Sequence, residues 1–140
     1  MKTILVDLNI ILYALNKDLF FEESAHLINL CEERKIKGHV CAHEITTLSY
    51  FLNKKSKNTR KNNLIISNIL DIFFVLNVNK EILKEALLSE IDDYEDAVID
   101  VSAMKNKLDF IITQNIKDFK KSKTRALTPG EFLLIENLWN

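Results

Sequence analysis

The sequence predicts one α/β domain over residues 1–140, a small parallel sheet with helices on both faces. Three observations lead there. Four short apolar runs of strand length stand at residues 3–6, 38–42, 74–78 and 109–113. Patterns of helical period fill the chain between them, which is the signature of βαβ units. The 140 residues, 47% of them apolar, can bury one core.

Each element has its own local cause. Thr3-Ile4-Leu5-Val6 is apolar and ends at Asp7; an uninterrupted run of this kind is a strand covered on both faces. Residues 10–15 form a helical turn or two. Over 22–34, Ala25, Ile28 and Cys31 share one helix face. Gly38 stops that helix, and 38–42 make the second strand. A helix opens at His43 or Glu44 and runs to about residue 53. The polar stretch 54–63 reads as a connection, and 64–73 as a helix with Ile65, Ile69 and Ile72 in register. After the third strand, Asn79 caps a helix over 80–88. An acidic stretch then opens a helix to about Lys105, and the fourth strand follows. Thr128-Pro129-Gly130-Glu131 combines a capping box with Pro at the first helical position, so a last helix begins there.

Composition excludes more than it selects. Nineteen basic and twenty acidic residues nearly cancel, so only the placement of charge can point to a partner. No apolar run approaches the ~18 residues of a membrane span, and no signal peptide is read at the start. Cys31 and Cys41 have no metal-type spacing and read as reduced, semi-buried thiols of a cytoplasmic protein. Two glycines cannot build a dinucleotide fingerprint or a P-loop. An aspartyl phosphotransferase would want a second acid at Asn9 and a lysine directly after the fourth strand; neither is present.

The chemistry lies in the acids. Ligands of open α/β sheets sit beyond the carboxyl ends of the strands. Asp7, Glu44 and the Thr113-Gln114-Asn115 turn with Asp118 follow three of those ends, and Asp96 stands at a helix start. Carboxylates without His or Cys suit Mg²⁺ or Mn²⁺. Asp92, Asp93 and Glu95 are accounted for by helix-start chemistry. Asp100 is not: it shares a helical face with Asp96, and like charges at that spacing repel. His43 reads as a surface residue at a helix start, and Asp109 lies at the wrong end of its strand. Basic residues cluster at Lys54, Lys55, Lys57, Arg60 and Lys61, and again from Lys117 through Lys120 and Lys121 to Arg125. The second cluster begins beside Asp118, where it can meet phosphate.

The ordered set of these pieces resembles the PIN-domain family, especially toxin ribonucleases of the VapC type. Its members are Ile4-Leu5-Val6-Asp7-Leu8-Asn9, Ala42-His43-Glu44-Ile45-Thr46-Thr47-Leu48, Asp93-Tyr94-Glu95-Asp96-Ala97, Thr113-Gln114-Asn115-Ile116-Lys117-Asp118-Phe119 and Leu127-Thr128-Pro129-Gly130-Glu131-Phe132-Leu133. The resemblance implies a PIN-like three-layer sandwich with four to five parallel strands. It implies a Mg²⁺- or Mn²⁺-dependent endoribonuclease leaving 5′-phosphate and 3′-hydroxyl ends, a cognate antitoxin and a homodimer. It carries metal-binding and catalytic roles onto Asp7, Asp96 and Asp118, and supporting roles onto Asn9, Thr113 and Asn115. Lys117, Lys120 and Lys121 would hold RNA. Many relatives have Arg where Gln114 stands. The second acid of most such toxins falls on Thr47 here, so Glu44 or Asp100 would have to supply it. The alternative is a catalytically weak or inactive PIN-like binding module.

Overall fold

A computed structural model describes residues 1–139. Its centre is a five-stranded, wholly parallel sheet in the order β3-β2-β1-β4-β5. The strands are β1 (Thr3–Val6), β2 (Lys37–Cys41), β3 (Phe74–Leu76), β4 (Phe110–Ile112) and β5 (Ala126–Leu127). The helices are α1 (Leu8–Asn16), α2 (Phe21–Glu32), α3 (Ala42–Lys55), α4 (Thr59–Ile72), α5 (Lys80–Ala86), α6 (Tyr94–Lys105) and α7 (Pro129–Ile135). A 3₁₀ turn, Ile116–Phe119, follows β4.

The three layers follow from strand alternation. Ile4 and Val6 of β1 face a core completed by α1, α2, α3, α4 and α7. Leu5, between them, faces the second core with α5 and α6. Both faces being covered, β1 is polar on neither side, as its sequence requires. Helix α6 is buried from Ala97 to Ala103, including Asp100 and Ser102, and so has no one apolar stripe.

The sandwich of four to five parallel strands stands, and three readings of single elements change. The segment 54–63 is not a connection: α3 continues to Lys55 and α4 begins at Thr59, because the Asn58 side chain accepts the Lys61 N–H and caps it. A fifth strand, two residues long, completes the sheet. The third strand is only three residues long. Cys31 and Cys41 are buried and unpaired, and burial pushes both thiols up to about 12. No helix among the described residues is long and apolar enough to cross a membrane.

Candidate metal and nucleic-acid site

The strand order reverses at β1, which pairs with β2 on one side and β4 on the other. A crevice opens beyond the carboxyl ends at such a reversal. Asp7 and Thr113 stand there, one after β1 and one after β4. The Asp7 N–H donates to the Ile112 carbonyl at 2.9 Å, extending the ladder by one bond. The Thr113 hydroxyl donates to Asp7 Oδ2, also at 2.9 Å, and accepts the Asn115 N–H at 3.0 Å. Thr113 thus ties the Asp7 carboxylate to the turn that carries Asp118. Burial raises the Asp7 carboxyl above its usual range; the Thr113 hydroxyl pulls it back and the Glu95 charge raises it again.

Helix α6 delivers Asp96. Asp93 is its N-cap, accepting the Asp96 N–H at 3.0 Å. This fixes the first turn and leaves the Asp96 side chain half-buried. Its carboxyl is pushed up to about 7, first by burial, then by the negative charges of Asp93, Asp7, Asp118 and Glu95. Carboxylates that follow β1 and sit in the 3₁₀ turn thus bear on the one that α6 delivers. Among the described residues none of them is paired with Lys or Arg, whose ion pairs join Lys35 to Glu33 and Lys105 to Glu81 and Glu85.

A cleft of about 390 Å³ opens in front of this group, lined by Asp92, Asp93, Asp96 and Asp118 on one hand and Lys117, Lys120 and Lys121 on the other. Asp7 is buried and does not line it. The other basic cluster is on the α3–α4 turn, where Lys55 bonds to Asn16, and does not line the cleft.

Two acids expected at the metal are otherwise engaged. Glu44 is 1% exposed. Its two oxygens accept the Leu8 N–H at 2.7 Å and the Cys41 N–H at 2.9 Å, and burial pushes it up to about 8. Asp100 is also buried, and accepts the backbone N–H groups of Lys123 and Thr124 at 3.0–3.3 Å. It faces the loop before β5 and not the cleft, because α6 is buried all round at that level. Asp109 bonds to Thr3 at the opposite sheet end, as its position foretold.

His43 departs from expectation. It is half-buried, and neither ring nitrogen has a hydrogen-bond partner. Burial lowers its pKa, while Glu95 raises it. Glu95 itself is the residue that sequence reasoning set aside. Its charge reaches Asp7, His43, Glu44 and Asp96. The signal was the backward lean of helical side chains, which aims a long first-turn residue over the helix start toward the sheet end. Asn9 is half-buried in the first turn of α1 and Asn115 is exposed. Gln114 donates to Glu23 of α2, joining the turn after β4 to the far helical layer.

The donors are carboxylate oxygens crowded around Asp96, and among the described residues Asp7, Asp96 and Asp118 form no ion pair, which fits a hard divalent cation. Among the described residues no three of His, Cys, Asp or Glu stand in an arrangement that would hold an ion as they are. The donor chemistry fits; the side chains form no ready-made cage.

A family model described as a PIN domain matches residues 3–117, a span that ends one residue before Asp118. No curated protein matches the sequence. Several solved structures share the fold at low identity. VapBC2 from Rickettsia felis, bound to a DNA fragment from its promoter, superposes with a TM-score of 0.68 at 18% identity, covering 90% of this chain and 98% of that one. PAE2754 from Pyrobaculum aerophilum gives 0.68 at 20% identity, covering 96% and 94%. VapC20 from Mycobacterium tuberculosis, a sarcin–ricin loop cleaving toxin, gives 0.64 at 14% identity, covering 87% and 98%.

Proposed function

The chain belongs to the PIN-domain family, and from that premise we propose that it is a metal-dependent endoribonuclease, the toxin of a toxin–antitoxin pair. One observation carries the reading: Asp7, Asp96 and Asp118 come from three elements at the sheet's reversal point, the charges of Asp7 and Asp118 both disfavour ionised Asp96, and among the described residues none of the three is in an ion pair. Mg²⁺ or Mn²⁺ at these three would supply Lewis acidity and an activated water at a phosphodiester.

The remaining roles belong to the chain. Thr113 holds the Asp7 carboxylate in one orientation and, through Asn115, sets the turn bearing Asp118. Asn9 supports the first turn after Asp7. Lys117, Lys120 and Lys121 line the same cleft as the acids and would hold the RNA backbone by charge, without reading sequence. The lysines attract the phosphates of a bound strand, and the acids would attract one only once a divalent cation offsets their charge. Asp100 is left out of the ligand set because its carboxylate closes the loop at Lys123.

The products would carry 5′-phosphate and 3′-hydroxyl ends. A small antitoxin would cover the cleft by placing a basic side chain among the acids, and the toxin would be a cytoplasmic homodimer. Support for the partner comes from neighbours solved as toxin–antitoxin complexes, such as one from Klebsiella pneumoniae. Co-expression with the adjacent reading frame tests it by growth rescue and copurification; absence of both counts against it.

A binding module with little catalysis is the second reading. The absence of a ready-made cage among the described residues and Thr47 in place of an acid favour it. Mn²⁺-dependent cleavage of a broad RNA set by the wild type and Asp96→Asn separates the two. Cleavage lost in the variant supports the nuclease. Equal cleavage by both removes Asp96 from the site, and no cleavage by either favours the module.

A further inference from the structure

We infer that Glu44 is a positioning residue that clasps the ends of β1 and β2 and so directs Asp7, and that it is not a metal ligand. The inference rests on the metal reading above for its consequence, and on hydrogen-bond geometry for its content.

Strands β1 and β2 are neighbours whose register pairs Leu5 with His39. Past that point the two strands pair only with their outer neighbours, Val6 with Ile112 and Cys41 with Leu76, before the chains enter α1 and α3, and N–H groups at the turn need new acceptors. Glu44, the third residue of α3, reaches back with Oε1 to the Cys41 N–H at 2.9 Å, the half of a capping box that an N3 Glu supplies. Its Oε2 crosses to the other strand end and takes the Leu8 N–H at 2.7 Å, 36 residues away. One carboxylate thus satisfies two buried donors from two elements.

Leu8 follows Asp7 directly. Asp7 is therefore held on three sides: its own N–H by Ile112, the next N–H by Glu44, and its carboxylate by Thr113. The direction in which Asp7 leaves the sheet is set by these bonds. At 1% exposure Glu44 has no open side toward the cleft, and it does not line it. A ligand would have to give up one of the two strand ends to turn toward an ion.

Glutamine separates the roles. It offers one carbonyl oxygen, and its amide hydrogens would face the second N–H, donor against donor. A clasp predicts that metal-free Glu44→Gln melts about 5 °C lower than wild type. It predicts that Mn²⁺ affinity, measured by calorimetry, falls about 10- to 100-fold, as for other residues that orient ligands, while Asp7→Asn abolishes binding. The amide resonances of Leu8 and Cys41 should shift in Glu44→Gln beyond all other residues outside α3. If Glu44 did not hold the two strand ends, the variant would melt at or above the wild-type temperature; that result overturns the inference.

A measurement on the wild type covers the case in which the variant does not fold. In a Mg²⁺ titration followed by side-chain carboxyl ¹³C resonances, Asp7 Cγ should move and Glu44 Cδ should not. Parallel movement of both refutes the clasp. Wild-type protein that binds neither Mg²⁺ nor Mn²⁺ overturns the metal reading instead. The clasp is then judged by the Leu8 and Cys41 amides and the melting temperature, and unshifted amides reject it.

Discussion

Asp96→Asn tests the site through stability before any RNA is added. The Asp96 carboxyl is pushed up to about 7, whereas in the unfolded chain it returns to the ordinary value of 3.8. The folded state therefore binds the proton more tightly, and its charged form is the disfavoured one. The sign follows from linkage: between about pH 4 and 7 the native state holds more protons, so this group lowers stability as pH rises and then levels off. Three pH units at ~1.36 kcal/mol each would set a ceiling near 4 kcal/mol. Asp96 is half-exposed, and screening by solvent reduces this to about 1 kcal/mol. For a chain of this size that is about 3 °C in melting temperature.

Metal-free Asp96→Asn at pH 8 should accordingly melt about 3 °C above the wild type, with the gap closing toward pH 4. With Mn²⁺ at a hundred times its dissociation constant the order reverses. The wild type gains ~2.7 kcal/mol, or about 9 °C, and the variant gains nothing. Because Mn²⁺ displaces the Asp96 proton, wild-type affinity should rise up to about tenfold per pH unit between pH 5 and 7, then flatten. Differential scanning fluorimetry across pH, with and without Mn²⁺, reads all three. A variant that melts lower than wild type at pH 8 without metal, yet keeps the full Mn²⁺ shift, would refute the claim that Asp96 is a crowded carboxylate awaiting a cation.

Asp100→Asn should cost about 1–3 kcal/mol, because Oδ1 accepts from both Lys123 and Thr124 while Oδ2, which shares the Lys123 N–H, becomes an amide group set donor against donor; Mn²⁺ affinity should stay within a few-fold, and a large loss of affinity at unchanged stability would return Asp100 to the metal. The double change Lys120→Ala and Lys121→Ala should weaken RNA binding alike for unrelated sequences and reduce the salt slope by about 1 per lysine, measured by fluorescence anisotropy. Gly38→Ala places a methyl 2.7 Å from Cys31 Sγ and 3.0 Å from the Phe73 ring. Overpacking of that kind should cost about 1–3 kcal/mol in urea unfolding, with the slope unchanged.

Strand β1 was legible because a strand covered on both faces is written as a continuous apolar run; β2, β3 and β4 lie within two residues of the runs at 38–42, 74–78 and 109–113, although Phe74 and Val75 of β3 are exposed. The start of α7 was legible because the Thr128–Glu131 capping box is local chemistry. The start of α4 was local too, in Asn58, but the polar run around it hid the cap. Strand β5 was not legible: two residues carry no period, and Ala126 and Leu127 become a strand only because β4 offers them an edge.

The acids divide in the same way. Asp7, Asp96 and Asp118 were placed by sequence, since each follows or opens an element at the carboxyl end of the sheet. The sequence by itself determined most of the elements, β5 and the start of α4 excepted, and the acids that stand at the ends of the others. Only the tertiary structure decided what each carboxylate does there. Glu44 and Asp100 look like ligands on a helical wheel, but their oxygens take backbone N–H groups 36 and 23 residues away. Glu95 looks like a helix-start acid, yet its charge bears on Asp7 across the crevice. A side chain's acceptor, and the burial that sets the cost of its charge, come from chain segments brought together by the β3-β2-β1-β4-β5 order, and no local pattern encodes that order.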